Sequence, residues 1–378
     1  MSKILILGTK AYDVELELLL KSKGYDVFFC GNKKSKIILK DKWVNIDYTD
    51  TNALINFLKF NKSIKYIIPG ANDLAYKSVS ILKNKKNFQV EVNIDLLETY
   101  KLVHQKSIFR KNNLSKFVMF PKIVSHTKLK NHKDKLLLKQ DGLSGGKGIV
   151  IFPKGLDACC FLNRNKTKLN DYFFEEFIPG SGHGVSFYVK SKKIIYEFYD
   201  NEYYSIDRLA VIATSSVSNL NQLHKKRLKN FCIEFMTKYN LVDGLFHIQC
   251  ILKNDEIYII ECTRRLPGDY YHYFASLSSG ENYLHYYINS FIPILQKIIT
   301  KKPRKNIVRI VQDQQIKSII NKNIKFKKII KKNFFSEKYL DGYRYSSTKK
   351  YKKDKAIFLS FDKPNEANSF CKNLISSI

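Results

Sequence analysis

Short apolar runs separated by amphipathic stretches dominate the first ninety residues. Lys3-Ile4-Leu5-Ile6-Leu7 is apolar after its lysine and ends at Gly8, which predicts a strand buried on both faces. The spacing from Val14 to Lys21 is helical, and Tyr25 to Cys30 returns to a strand after a turn at Gly24. A helix over Asn52 to Phe60 and a strand at Tyr66-Ile67-Ile68 follow. Pro69-Gly70-Ala71-Asn72-Asp73 then opens another helix, with Asn or Asp as its N-cap. This alternation predicts a small doubly wound βαβ domain. Its lone Gly8 falls short of the three spaced glycines of a dinucleotide fingerprint, so NAD is not expected there.

The period changes further along. From Leu96 to about Phe120 it is helical, and Pro121 stops it. The stretch from Leu136 to Val189 is rich in strands. A helix is predicted from about Leu223 to Tyr239, then paired strands at Leu245 to Ile251 and Ile257 to Ile260, with Lys253-Asn254-Asp255 at the turn. Beyond Lys301 short strands lead to a last helix at Asn365 to Ile375. No repeat and no low-complexity linker interrupts the chain.

At 378 residues the chain has room for two or three domains, and 44% apolar with 26% charged residues marks it as globular. The N-terminus offers only four apolar residues, Ile4 to Leu7, so neither a signal peptide nor a membrane span is expected. Seven cysteines without regular spacing, Cys159-Cys160 among them, point to reduced thiols in a cytoplasm. The formal charge of +32 would gather phosphate non-specifically. The excess is nearly all lysine, spread from end to end beside abundant Ile and Asn, and no nucleic-acid reader motif accompanies it, so no specific nucleic-acid partner is expected.

Candidate chemistry begins at Lys139-Gln140-Asp141-Gly142-Leu143-Ser144-Gly145-Gly146-Lys147-Gly148. Leu136-Leu137-Leu138 before it and Ile149-Val150-Ile151 after it read as strands, so the glycines sit in a hairpin loop. Their bare backbone N–H groups can approach phosphate oxygens. An ordinary flexible hairpin would carry the same glycines. The loop is not a Walker A motif, because Gly146-Lys147 is followed by Gly148 and a β-branched run instead of Ser or Thr and a helix. Three further features accompany it: Lys106 within His104 to Arg110; the apolar strand Phe173-Phe174-Glu175-Glu176-Phe177-Ile178, broken at Pro179-Gly180; and Ile259 to Asp269, a strand delivering Glu261, Thr263, Arg264 and Arg265 into a loop.

With these motifs in this order, the chain resembles the ATP-grasp superfamily, and in particular its carboxylate–amine ligases. The resemblance covers nearly the whole chain. It implies a pre-ATP-grasp doubly wound α/β domain at 1–95, an α+β ATP-grasp fold at 96–300 with a lid subdomain at about 122–180, and a small C-terminal subdomain at 301–378. Lys106 and Lys139 would contact ATP phosphates, and Ser144, Gly145, Gly146, Lys147 and Gly148 would form the lid loop. The backbone of Glu175, Glu176, Phe177 and Ile178 would read adenine, Glu261 would bind Mg²⁺, and Arg265 would stabilise the transferring phosphoryl group. Phosphoryl transfer needs such cations around the γ-phosphate and an acidic ligand for the metal.

Three positions depart from the family pattern. Gln249 stands where an acidic metal ligand is usual, Thr263 where asparagine is usual, and His183 where an acidic ribose ligand is common. Gln249 and Thr263 still offer neutral oxygens and His183 can still bond a hydroxyl, so one or two Mg²⁺ ions fit the resemblance. The implied activity joins a small-molecule carboxylate to an amine through an acyl phosphate; a homodimer is allowed. A phosphotransferase and a degenerate nucleotide-binding regulator are the alternatives. Substrates are expected near Asn72, Asp73, Arg208 and Arg265. His247 is expected as a core histidine, Tyr270-Tyr271-His272-Tyr273 as core and pocket wall, and Lys106 and Lys139 as cleft lysines that the fold can lose. Strand alternation sends one of Glu175 and Glu176 to the nucleotide and the other to solvent, without choosing between them.

Overall fold

A computed structural model of the chain describes residues 2–33, 38–85, 90–112, 115–141, 148–165, 172–205, 209–292, 302–303, 305–311, 339–340 and 354–377. The predicted N-terminal alternation is present. Strands β1 (Lys3–Leu7), β2 (Asp26–Cys30), β3 (Trp43–Val44) and β4 (Ile64–Pro69) form a parallel sheet in the order β3-β2-β1-β4. Helices α1 (Ala11–Lys21), α2 (Thr51–Phe60) and α3 (Asp73–Lys83) connect and follow its strands. Asn72 caps α3 through its side chain on the Leu74 N–H, at the carboxyl end of β4. Ligands of doubly wound sheets lie at such strand ends.

The region from Leu96 to Phe120, expected to be helical, is so only as far as Asn112. It divides into α4 (Leu97–His104) and α5 (Lys106–Asn112), with extended backbone at Gln105 between them. By Met119 the chain lies alongside a strand, exchanging backbone hydrogen bonds with Ile257 and Ile259. Val118 is buried in the core there. Its apolar neighbours imitate helical spacing because they pack on that core from an extended segment.

A second sheet of four strands holds β5 (Ile123–Val124), β6 (Leu136–Gln140), β7 (Val150–Phe152) and β8 (Tyr172–Glu176), in the order β5-β8-β6-β7. Helices α6 (His126–Leu129) and α7 (Gly155–Arg164) accompany it, the latter within the stretch expected to be rich in strands. Leu129, Leu136, Leu138, Phe152, Ala158 and Phe174 make its small core, so β6 turns its even-numbered residues inward and Leu137 and Lys139 the other way.

The third sheet has eight antiparallel strands. They are β9 (Ser181–Lys190), β10 (Lys193–Tyr204), β11 (Val211–Ser215), β12 (Gly244–Lys253), β13 (Glu256–Thr263), β14 (Ile307–Val311), β15 (Tyr339–Leu340) and β16 (Asp354–Ser360). Their order is β13-β12-β9-β10-β11-β14-β16-β15, so the C-terminal strands extend the central sheet. The β12–β13 hairpin turns at Asn254 and Asp255, both at positive φ, as its two-residue turn requires. One face packs on α8 (Gln222–Lys238) through Val185, Phe187, Phe246 and Ile248. The other meets α9 (Tyr271–Ser279) and α10 (Tyr283–Asn289), whose aromatic residues share one core with the parallel sheet. A last helix, α11 (Pro364–Ser376), covers the C-terminal strands.

Candidate active site

Helix α5 ties the two antiparallel sheets together. Lys106 and Arg110 are four residues apart and so share a face of the helix. Lys106 Nζ lies 3.2 Å from Glu261 on β13, while Arg110 Nε donates to Glu175 on β8 at 3.0 Å. Arg110 also donates to the Ile260 carbonyl. The start of α5 is held by Asp141, which accepts from the Ser107 N–H at 3.0 Å and from its hydroxyl. The root of the glycine loop is therefore anchored to the lysine-bearing helix.

Glu175 is fully buried and carries two cations, Arg110 and Lys139. Burial alone would favour its neutral form, but Arg110 and Lys139 together outweigh that and hold its carboxyl below the usual range. Lys139 shifts the unfavourable way: burial lowers its ammonium, and Glu175 offsets this only in part because Arg110 and Lys106 repel it. One carboxylate thus serves two cations. Lys106, Lys139 and Arg110 gather around Glu175 and Glu261, and a cluster of cations of this kind suits a polyphosphate. Of the two glutamates, Glu175 turns toward α5 and Glu176 accepts from the Lys122 N–H.

On the large sheet, register aligns Glu261 with Gln249, Gln249 with Gly184, and Gly184 with Asp200. All four therefore lie on one face, with Glu202 two residues beyond Asp200 on the same side. Gln249 Nε2 donates to both Glu202 oxygens, at 2.9 and 2.8 Å. Asp200 accepts from the Tyr271 hydroxyl at 2.5 Å. Asp200, Glu202 and Arg110 received no role from the sequence, although two acids at alternate positions of an aromatic strand and a cation one turn beyond Lys106 were visible signals.

The arginine pair divides its work. Arg264 is buried and structural: it donates to Asp95 at 3.0 Å and to the carbonyls of Leu245 and Val242. Arg265 instead reaches Asp73 of α3 with Nε at 3.0 Å and Nη2 at 2.9 Å, and Asp73 also meets His104 Nδ1 at 3.1 Å. Thr263 is buried, with Oγ1 3.4 Å from the Arg265 N–H.

Other expected residues stand apart from this cluster. Ser144, Gly145, Gly146 and Lys147, and also Arg208, lie outside the described residues. Phe177 and Ile178 occupy the link from β8 to β9, and the Phe177 N–H donates to Lys135. His183 pairs in register with Cys250 and so lies on the face opposite Gln249. Its ring nitrogens meet Ser181 Oγ at 2.9 Å and the Asp200 carbonyl at 3.3 Å, and burial lowers its pKa to about 4. Where a ribose contact was expected of His183, its ring nitrogens here are taken up by Ser181 and Asp200. His247 is a satisfied core residue as expected, with Nδ1 2.8 Å from Ser186 Oγ. Tyr270, Tyr271 and His272 are buried.

The donor set suits a Mg²⁺ shared with a nucleotide. Glu261 already faces a positive group, the Lys106 ammonium, and the buried Asp200 Oδ1 has no hydrogen-bond partner. Among the described residues no group of three or more His, Cys, Asp or Glu is placed to hold a metal ion by itself, so phosphate and water would complete the shell. Bound there, Mg²⁺ would neutralise charge on the transferring phosphoryl group.

The smaller four-stranded sheet is linked at Phe177 and Ile178 to the larger one, and cations and carboxylates converge between them. Residues 106–269 match the family of the ATP-grasp domain, so this part of the chain is an ATP-grasp domain. No curated protein matches the sequence. Solved structures match the fold at full length. N5-carboxyaminoimidazole synthetase from Staphylococcus aureus, complexed with ADP, superposes with a TM-score of 0.73 at 11% identity, covering 99% of this chain and 97% of that one. Phosphoribosylglycinamide synthetase from Anaerococcus prevotii gives 0.64 at 16%, covering 100% and 98%. L-amino acid ligase from Bacillus licheniformis gives 0.69 at 12%, covering 100% and 98%. Among the described residues, no helix is long and apolar enough to cross a membrane.

Proposed function

We propose that the chain is an ATP-dependent carboxylate–amine ligase. The observation that carries this reading is the convergence of Lys106, Lys139 and Arg110 with Glu175 and Glu261 between two linked sheets, beside Arg265. Relatives of this fold that bind ADP or ligate amino acids support it. A carboxylate oxygen of the first substrate attacks the γ-phosphorus, the bond to the β–γ bridging oxygen breaks, and ADP leaves. An amine then attacks the acyl carbon, loses a proton and expels phosphate, leaving an amide or peptide-like bond.

In this reading Lys106 and Lys139 bind the phosphates, residues 144–148 close over them, the link at Glu175 to Ile178 borders adenine, and Arg265 steadies the phosphoryl group in flight. Glu261 is the main protein ligand of Mg²⁺, with Gln249 and Thr263 able to add neutral oxygens. The reading keeps the division at 1–95, 96–300 and 301–378. It places small-molecule substrates near Asn72, Asp73 and Arg265, in a cytoplasmic setting suited to seven free cysteines.

The test is ADP release with panels of carboxylic acids and amines, followed by mass spectrometry of the product. Use of an ¹⁸O-labelled carboxylate should deliver one label to inorganic phosphate. A phosphorylated product without need of an amine would reassign the chain as a phosphotransferase. Nucleotide binding without any turnover would make it a regulatory module.

A further inference from the structure

The Gln249–Glu202 contact crosses an intervening strand. β9 lies between β12 and β10, so these side chains rise from strands about 10 Å apart, twice the inter-strand spacing. Two glycines on β9 leave the floor between them bare. A Cβ at Gly184 would sit 2.7 and 2.9 Å from the two oxygens of Asp200, and one at Gly182 would sit 2.2 Å from the Tyr204 ring. Side chains from β10 and β12 can therefore meet over β9, as Glu202 and Gln249 do, and the Asp200 carboxyl is aimed over Gly184, which neighbours Gln249.

This face carries Asp200, Glu202 and Glu261: Gln249 and the Tyr204 hydroxyl donate to Glu202, the Tyr271 hydroxyl to Asp200, and Lys106 meets Glu261. Asp200 and Glu202 are both buried, and Asp200 Oδ1 is buried without a hydrogen-bond partner. Buried carboxylates are normally paired with cations or fully hydrogen-bonded. We infer that Glu202 is a further cation-site carboxylate, supplying through its contact with Gln249 the second acid that position 249 lacks. This assignment rests on the ATP-ligase reading above. Gln249 acts as its positioning residue: its amide holds Glu202 over the glycine floor and leaves its own oxygen for the ion or its waters.

The test reads metal binding directly. Mn²⁺ titrated into the full chain with a non-hydrolysable ATP analogue is followed by electron paramagnetic resonance, and analogue affinity is measured separately in EDTA. Glu202→Gln should weaken Mn²⁺ by about tenfold to a hundredfold while analogue affinity in EDTA and the melting temperature hold. Gln249→Glu alone would set a second carboxylate against Glu202, so the acid is moved as a pair: Glu202→Gln with Gln249→Glu should regain most of the Mn²⁺ affinity. Should Glu202→Gln not fold, Glu202→Asp, which withdraws the charge by one methylene, is read in the same way. A folded Glu202→Gln that holds Mn²⁺ like the parent, or a double variant no better than the single one, would overturn the assignment and leave the ligase reading standing. A parent that binds no analogue would overturn both.

Discussion

Asp73 grips Arg265 with both carboxylate oxygens, at 3.0 and 2.9 Å, across 192 residues of sequence. The parallel-sheet domain thereby fixes the plane of the guanidinium proposed to steady phosphoryl transfer. Asp73→Asn keeps the shape and removes the charge. It should lower turnover by on the order of tenfold to a hundredfold, as small misplacements of a positioned group do, and leave nucleotide affinity unchanged. Rates from steady-state ADP release beside calorimetric titration of the nucleotide check the split, and equal losses in both would deny Asp73 this role.

The same pair carries a pH signature. Burial opposes ionisation of Asp73, but Arg265 and His104 outweigh it and hold the carboxyl below the usual aspartate range. A depressed native pKa contributes stability that is complete above the unfolded value of about 3.9 and is lost as pH falls below it. The stability gap between parent and Asp73→Asn should therefore narrow between pH 5 and pH 3. Urea unfolding at both pH values measures it; a constant gap would mean the carboxylate is not the group being titrated.

Lys106 and Lys139 were expected to be equally dispensable to the fold, and their surroundings separate them. Lys139 is 4% exposed and shares buried Glu175 with Arg110. Lys139→Ala breaks a buried ion cluster and should cost about 3 kcal/mol of stability. Lys106 stands at the cleft edge opposite Glu261, and Lys106→Ala should cost no more than about 1 kcal/mol. Both should weaken ATP by about 1.5–3 kcal/mol, the worth of a charged contact. Denaturant unfolding and nucleotide titration of the two variants give the comparison. A Lys139→Ala protein as stable as the parent would mean Arg110 alone satisfies Glu175.

What the sequence made legible was local. Gly24, Pro179-Gly180 and Asn254-Asp255 punctuate the chain, and period-two or helical spacing between them located most elements to within a few residues. The two-residue strand β3 was too short to show a period. Val118 and its neighbours misled because an extended segment on a core can imitate helical spacing. The site was legible wherever a motif carried it, and illegible where meaning comes from a distant partner. Nothing near Glu175 tells it from Glu176; Arg110, 65 residues earlier, does. Arg264 and Arg265 are neighbours in sequence, yet Asp95 takes one into the core and Asp73 holds the other at the cleft. Glu202 gains its interest only when Gly182 and Gly184 are seen to lie between it and Gln249.

The turn that follows Arg265 yields the last prediction. Asp269 and Tyr270 adopt consecutive left-handed conformations at φ 54° and 56°, each costing a residue with a Cβ about 1–3 kcal/mol, and Tyr270 is buried. Arg309 of β14 fastens this turn: Nη1 donates to the Asp269 carbonyl at 2.8 Å and the Gly268 carbonyl at 3.4 Å, while Nε donates to Thr214 at 3.0 Å. Its guanidinium also lies over the Tyr271 ring, 5.4 Å from the centroid. The C-terminal strands thus reach the loop that presents Arg265. Arg309→Lys keeps the charge but loses the fork that spans Thr214 and both carbonyls, so turnover should fall while nucleotide affinity holds. Asp269→Gly, which adopts the left-handed conformation without the steric cost, should raise the melting temperature in the parent and restore turnover in the Arg309→Lys background. Steady-state ADP release, nucleotide titration and thermal unfolding of the three variants decide it. Were Arg309→Lys as active as the parent, or the glycine unable to rescue it, the turn would be held by its own packing and Arg309 would serve only to join the strands.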